Sequence, residues 1–230
     1  MAYRYGYDSN LWETPLGRYR LWFLFWGWSH DFTVVNPYLK GVSSFLESFD
    51  DKLTVCDLGC GDFNIGKELV GYTKFYHAID IVPNLIKRNV QKYNVDNLLF
   101  SCKDIVKDDW PEADCVILRQ VLQHLSNEEI GLILKKVRKY EYLILTEHIP
   151  EGTFESNIDI ISGQGIRLKK NSGVDIFSKP FNFDAKNINQ LSSVKSPDFG
   201  GIIETKLIEP NYAITWSFRV VVSLMRNLHN

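Results

Sequence analysis

The stretch Leu53-Thr54-Val55-Cys56-Asp57-Leu58-Gly59-Cys60-Gly61 decides how the chain is read. Five mostly apolar residues end in an acid, and a glycine turn follows at once. A short apolar run bounded by glycines predicts a buried strand, here Leu53–Asp57. Glycines directly after a strand let a ligand approach the backbone without a Cβ in the way. The same grammar repeats downstream. Phe75–Ile79 predicts a second strand closed by Asp80, and Leu98–Cys102 a third followed by Asp104. Cys115–Leu118 and Tyr142–Leu145 predict a fourth and a fifth.

Helices are expected between them. Asn64–Tyr72 carries Ile65, Leu69 and Val70, and Pro83 opens a helix reaching about Tyr93. Ser126-Asn127-Glu128-Glu129 is a capping box, with Ile130, Ile133, Leu134 and Val137 following at i, i+3, i+4 and i+7. An earlier helix is expected around Tyr38–Phe49, with Pro37 at its first turn. Alternating strands and helices imply an α/β domain with a parallel, doubly wound sheet. Residues 149–199 break the rhythm with many Gly, Pro, Ser and Asn, and read as a long loop or cap. Gly201–Ile208 and Ala213–Ser223 then read as an antiparallel hairpin turning at Glu209-Pro210-Asn211.

In such sheets ligands bind beyond the carboxyl ends of the strands. Three acids at three successive strand ends, Asp57, Asp80 and Asp104, therefore point to one site. Asp80 stands where a carboxylate accepts ribose hydroxyl protons. A dinucleotide site wants G-x-G-x-x-G, with pyrophosphate on the helix amino end. Here the glycines are 59, 61 and 66, and an acid precedes them. That acid would repel a pyrophosphate. It suits a cofactor bearing an amino group and a sulfonium, which favours S-adenosylmethionine over a nicotinamide dinucleotide.

DLGCGDFNIG (57–66), FYHAIDIVPNLI (75–86), SCKDI (101–105) and VILRQVLQHLSNEE (116–129) together resemble the cofactor motifs of class I S-adenosylmethionine methyltransferases. The resemblance covers about residues 50–148. It implies a Rossmann-like seven-stranded sheet of order 3-2-1-4-5-7-6. It also implies roles. Asp57 and the turn Gly59-Cys60-Gly61 hold the methionine end, mainly through the amides around the two glycines. Asp80 holds the ribose and Ile81 packs on the adenine. Asp104 and Ile105 flank the adenine edge, and Arg119 and Gln120 line the methionine side. More narrowly, DFN, IDIVPNLI, and the downstream NIDI and PFNF resemble small bacterial methyltransferases of polysaccharide and surface-glycan synthesis. The aromatic start of the chain departs from that narrower pattern.

The resulting expectation is an O-methyltransferase acting on a carbohydrate or similar small hydroxylated acceptor. His124 and His148, each just past a strand end, are the candidate general bases. Two alternatives stay open: a methyltransferase for another small molecule or a protein, and an inactive S-adenosylmethionine-binding interaction protein.

The remaining composition bounds the setting. The chain has 230 residues, which fits one α/β domain with additions, and 45% of them are apolar, enough for a core. A formal charge of −2, with no long basic run, argues against a nucleic-acid partner. Four cysteines without a CxxC pair read as reduced thiols of a cytoplasmic protein, with no metal site. Four of the six tryptophans, Trp12, Trp22, Trp26 and Trp28, concentrate in the leader. Residues 1–50 read as an aromatic helical extension or lid, and 51–230 as the catalytic domain with 149–199 as a substrate cap. The apolar run Leu21–Trp28 is too short to span a bilayer, although peripheral membrane contact stays open. Arg167, Lys169 and Lys170 could together meet an anionic acceptor.

Overall fold

A computed structural model of the chain describes residues 31–163, 165–197 and 200–211. Seven strands form one sheet in the order β3-β2-β1-β4-β5-β7-β6. They are β1 (Thr54–Leu58), β2 (Phe75–Asp80), β3 (Leu98–Cys102), β4 (Cys115–Arg119), β5 (Tyr142–Ile149), β6 (Ala185–Lys195) and β7 (Ile202–Pro210). The first five pair in parallel, while β7 runs antiparallel to both β5 and β6. Strand order reverses between β1 and β4, so a crevice opens at their carboxyl ends, as expected of a doubly wound sheet.

Strand alternation divides the core in two. Val55, Ile117 and Ile144 face one side, where helix α1 (Phe32–Glu47) covers them with Tyr38, Val42 and Leu46. Cys56, Leu58, Leu118, Leu143 and Leu145 face the other, against α3 (Asn127–Val137) and residues 174–183. Helix α2 (Pro83–Lys92) lies beside β2 and β3. The Ser126–Glu129 capping box forms as read.

Several boundaries differ from expectation. Helix α1 starts near Phe32 rather than Tyr38, because the Asp31 side chain accepts from the Thr33 amide at 2.7 Å and caps it. Pro37 therefore sits inside the helix. It packs against β6, where Gly41 permits the approach: a Cβ there would meet the Leu191 carbonyl oxygen at 2.9 Å. Asn64–Tyr72 is two 3-10 turns, Gly66–Glu68 and Val70–Tyr72, not one helix. Gly66 lies under the Phe63 ring with no room for a side chain, and two glycines in nine residues lower helix propensity further.

The larger correction concerns 149–199. Residues 150–163 and 165–184 are irregular apart from a 3-10 turn at Arg167–Lys170, but Ala185–Lys195 is the edge strand β6. Its sequence, AKNINQLSSVK, carries polar residues on both faces, so no apolar alternation announces it. It pairs with β7 across two register shifts, as edge strands often do. The final hairpin is thus β6–β7. The strand expected at Ala213–Ser223 and the aromatic leader both lie outside the described residues. No described helix is long and apolar enough to cross a membrane.

Candidate active site

The chain leaves β1 through Gly59 and Gly61, both at positive φ (84° and 57°). A Cβ at Gly59 would come within 2.6 Å of Val121 Cγ2. The turn is tied to its neighbours by backbone groups. The Gly59 and Cys60 amides donate to the Ile79 carbonyl at 2.8 and 2.9 Å. The Gly61 amide donates to Asp80 Oδ2 and the Val82 amide to Asp80 Oδ1, each at 3.0 Å. Asn89, fully buried on α2, donates to the Gly61 carbonyl at 2.7 Å. These amides are turned inward, where a buried carboxylate and a strand-end carbonyl need donors. They are not turned outward to a ligand, as the resemblance implied. Each Asp80 oxygen still has a lone pair to offer a hydroxyl. Burial raises the Asp80 pKa, and the amides work against that rise.

Behind the turn lies a buried polar cluster. Asp57 and Arg119 share the α1 face of the sheet. Tyr76 donates to Asp57 Oδ2 at 3.0 Å, and the Arg119 guanidinium stands 5.1 Å from the Tyr38 ring centre. Burial pushes the Asp57 carboxyl up to about 7, against the Tyr76 hydrogen bond and the Arg119 charge. Burial likewise lowers Arg119, opposed by Tyr38, Asp57 and Asp62. Gln120 takes a positive φ of 57° and donates its amide to the Thr146 carbonyl at 2.7 Å, fixing the end of β4 to β5. Burial drives the Cys60 thiol well above its ordinary range, so it is inert near neutral pH.

The third acid behaves differently. The Lys103 amide donates to the Asp80 carbonyl at 3.0 Å, which brings 103–105 beside the end of β2. Asp104 then caps its own turn, accepting from the Val106 amide at 2.9 Å and pairing with Lys107 at 3.5 Å. The Ile105 carbonyl accepts from Trp110 Nε1 and Lys136 Nζ. The Ile81 carbonyl accepts from the Cys102 thiol at 3.7 Å.

The two histidines fall on different elements. His124 ends the 3-10 turn Leu122–His124, and its Nδ1 donates to the Gly165 carbonyl at 3.3 Å. Burial pulls it down to about 4. His148 lies on β5, on the same face as Asp57 and Arg119, and its Nε2 donates to the Gly200 carbonyl at 2.8 Å. Burial lowers it too, and that hydrogen bond opposes the fall. A carbonyl only accepts, so both tautomers are fixed: the lone pair is on Nε2 of His124 and on Nδ1 of His148.

Residues 56–140, a little over a third of the chain, match a family model described as a methyltransferase domain. The chain carries a methyltransferase domain. Similar solved structures share the fold. The N-methyltransferase NodS of Bradyrhizobium japonicum, in complex with S-adenosyl-L-homocysteine, is 14% identical with a TM-score of 0.58, over 81% of this chain and 92% of that one. Magnesium protoporphyrin IX methyltransferase from Synechocystis, with bound S-adenosylmethionine, is 18% identical with a TM-score of 0.51, over 76% and 80%. Human N-acetylserotonin methyltransferase is 17% identical with a TM-score of 0.51, over 77% of this chain and 52% of that one. No curated protein matches the chain.

The geometry of the turn fits the cofactor that the sequence resemblance implies. The turn at Gly59 admits no Cβ, and Asp80 keeps acceptor capacity in a buried position. Residues that the sequence did not single out complete the arrangement: Tyr38, Asp62, Tyr76 and Asn89. Asn89 left a trace, a polar residue on the Leu85–Ile86 face of α2, and a buried amide needs a partner. Tyr76 left none, since an aromatic residue in a strand reads as ordinary core.

Arg167 departs from expectation. It is not part of a basic surface patch but 1% exposed. Its five N–H donors go to the carbonyls of Ile158, Leu122, Gln123 and Leu125 and to Asn127 Oδ1, at 2.8 to 3.3 Å. It clamps the cap segment onto the start of α3. Lys170 donates to the Asp159 carbonyl at 3.1 Å.

Proposed function

We propose that the protein is an O-methyltransferase for a carbohydrate or similar small hydroxylated acceptor, with His148 as general base. The observation that carries this reading is His148 itself. Its Nε2 is anchored by the Gly200 carbonyl, so a neutral ring presents Nδ1 as an acceptor. A hydroxyl acceptor needs such a group, because its proton must leave as it attacks. His124 has the same anchoring but is a weaker base, held down to about 4.

When bound, S-adenosylmethionine supplies a methyl group on a sulfonium, a leaving group that needs no further activation. The protein's part is then alignment, exclusion of water and removal of one proton. Asp80 takes the ribose hydroxyls on its remaining lone pairs, and Ile81 and Ile105 supply apolar contact to the adenine. The Gly59-Cys60-Gly61 turn gives the methionine portion room, with Asp57, Arg119 and Gln120 behind it. Asp104 acts by shaping the loop beside the adenine. The acceptor cap is drawn from the 149–199 stretch, from its described irregular residues 150–163 and 165–184. A glycan acceptor is supported by the DFN, IDIVPNLI and PFNF motifs, and a cytoplasmic setting by four free cysteines.

The test is methyl transfer from labelled S-adenosylmethionine to a panel of sugars and small alcohols. With a turned-over acceptor, His148→Ala should lower kcat by about 10²–10⁴, and His124→Ala by less than tenfold. An unchanged kcat in His148→Ala refutes the base. Turnover confined to amines or thiols refutes the hydroxyl acceptor.

A further inference from the structure

Parallel sheets are buried on both faces, because their crossovers lay covering elements on each side. On the α1 face, Tyr93 at the end of α2 and the ring of Phe63 cover Phe100 of β3. The α3 face of β2 and β3 lacks such a cover. A right-handed crossover carries the β3–β4 connection over that face, and its Ile105, Val106 and Trp110 do pack there. Yet residues 103–114 contain no helix. Toward the strand starts the face stays open. Leu99, in the middle of β3, is 50% exposed and stands beside His77 in the β2–β3 register. His77 touches the Phe75 ring, with centroids 4.7 Å apart, and neither is fully buried. Val95, just before β3 at the same edge, is 49% exposed. Adjoining exposed apolar side chains of this kind mark an interaction surface.

The place where β7 ends says what can cover it. The Asn211 carbonyl accepts from Arg138 Nη1 at 3.4 Å, and its amide donates to the Asp184 carbonyl at 3.2 Å. Arg138 is the C-cap of α3, so the chain leaves β7 on the α3 face. It also leaves beside the start of β5, at the sheet edge where Phe75 opens β2. The leader, by contrast, joins at Asp31, the N-cap of α1, on the opposite face. Strands β7 and β3 are five places apart in the sheet, about 24 Å at the usual strand spacing. The 19 residues after Asn211 would cover about 28 Å even if wholly helical, so they reach.

We propose that residues 212–230 dock on the α3 face of β2 and β3 and supply the cover that the helix-free β3–β4 connection omits. With β6 and β7 completing the hairpin, the apolar run at 213–223 is not needed as a strand of this sheet. Its apolar residues continue past 223: Ile214, Phe218, Val221, Met225 and Leu228 recur every three or four positions, one apolar stripe. Charge agrees. The segment holds Arg219 and Arg226 and no acid, while residues 103–114, which flank the open face, hold five acids and two lysines. Of those acids Asp108, Asp109 and Glu112 are exposed. The docking does not depend on which acceptor is methylated.

Replacing Leu99 by the photoreactive residue p-benzoylphenylalanine in the full chain, followed by irradiation and peptide mapping, reads the occupant directly. We expect a product of monomer mass in which position 99 is joined to a residue within 212–230. An adduct with residues 1–30, a product of dimer mass, or no adduct overturns the inference. Hydrogen exchange gives a second readout. In the unmodified chain, amides between 214 and 228 should exchange at least tenfold more slowly than in an isolated peptide of the same sequence. Leu99→Glu should remove most of that protection and leave β1 and β4 protected. Exchange at the peptide's rate in the unmodified chain, or protection that survives Leu99→Glu, overturns the inference. The crosslink and the unmodified chain's exchange decide the matter even if Leu99→Glu fails to fold.

Discussion

Replacing Gly59 by alanine probes the turn on which the site is built, and its effect can be divided into two parts. The first is conformational. Gly59 has φ +84°, a region that costs an L-residue about 1–2 kcal/mol. The second is steric. The new methyl would stand 2.6 Å from Val121 Cγ2, and Val121 is 3% exposed with a β-branched side chain that has little rotamer freedom. Overpacking of that kind costs about 1–3 kcal/mol. Together Gly59→Ala should destabilise the fold by about 2–5 kcal/mol, which lowers the melting temperature by roughly 2–4 °C per kcal/mol at this chain length. Only the steric part depends on Val121. In a Val121→Ala background the same substitution should therefore cost about 1–2 kcal/mol, a coupling of about 1–3 kcal/mol. Urea denaturation of the four proteins closes this cycle. If Gly59→Ala costs the same in both backgrounds, Val121 does not wall the turn and the geometry described for it is wrong. S-adenosyl-L-homocysteine titration of the double variant adds a second measure: relief of the clash should restore stability more fully than affinity, because the positive φ still opposes the turn.

Two further outcomes follow from the buried charges. Arg167→Ala leaves four carbonyls and a buried carboxyl without their cation, and should cost about 3–5 kcal/mol in denaturant midpoint analysis, with Arg167→Lys recovering only part of it; a loss below about 1 kcal/mol would mean the clamp is not formed in solution. Asp57 gives a pH effect. Its folded value of about 7 lies above its ordinary 3.8, so its contribution is present below pH 4 and is lost as pH rises through 7. The slope is at most about 1.4 kcal/mol per pH unit. Asp57→Asn, which still accepts from Tyr76, should flatten stability between pH 4 and 7 relative to the wild type, and parallel curves would show that Asp57 is ionised throughout.

Much of this molecule is legible in its sequence because the relevant signals are local. The strand–acid–glycine grammar at 53–61, Asp80 at the end of β2 and the capping box at Ser126 each declare themselves within a few residues. The sheet order came from the family resemblance. What stayed hidden depends on contacts across the chain. Strand β6 is polar on both faces, and it is a strand only because β7 lies beside it. The glycine-turn amides look available to a ligand until Ile79 and Asp80, about twenty residues on, are seen to take them. Arg167 looks like one of three surface cations, but five oxygens surround it, four from the stretch 122–127 and one from Ile158.

Glu147 shows the same dependence most sharply. In Thr146-Glu147-His148 it is one acid between two polar residues, with nothing to separate it from a solvated strand end. Strand alternation sends it to the α3 face while His148 goes to the α1 face. Pairing then sets it opposite Glu204, and folding of the cap closes Val174, Ile176 and Phe177 over both. Only these three steps together turn an unremarkable triplet into a buried carboxyl at the wall of a cavity. Neighbouring residues on one strand thus face opposite sides of the sheet, and proton removal is proposed only on the His148 side.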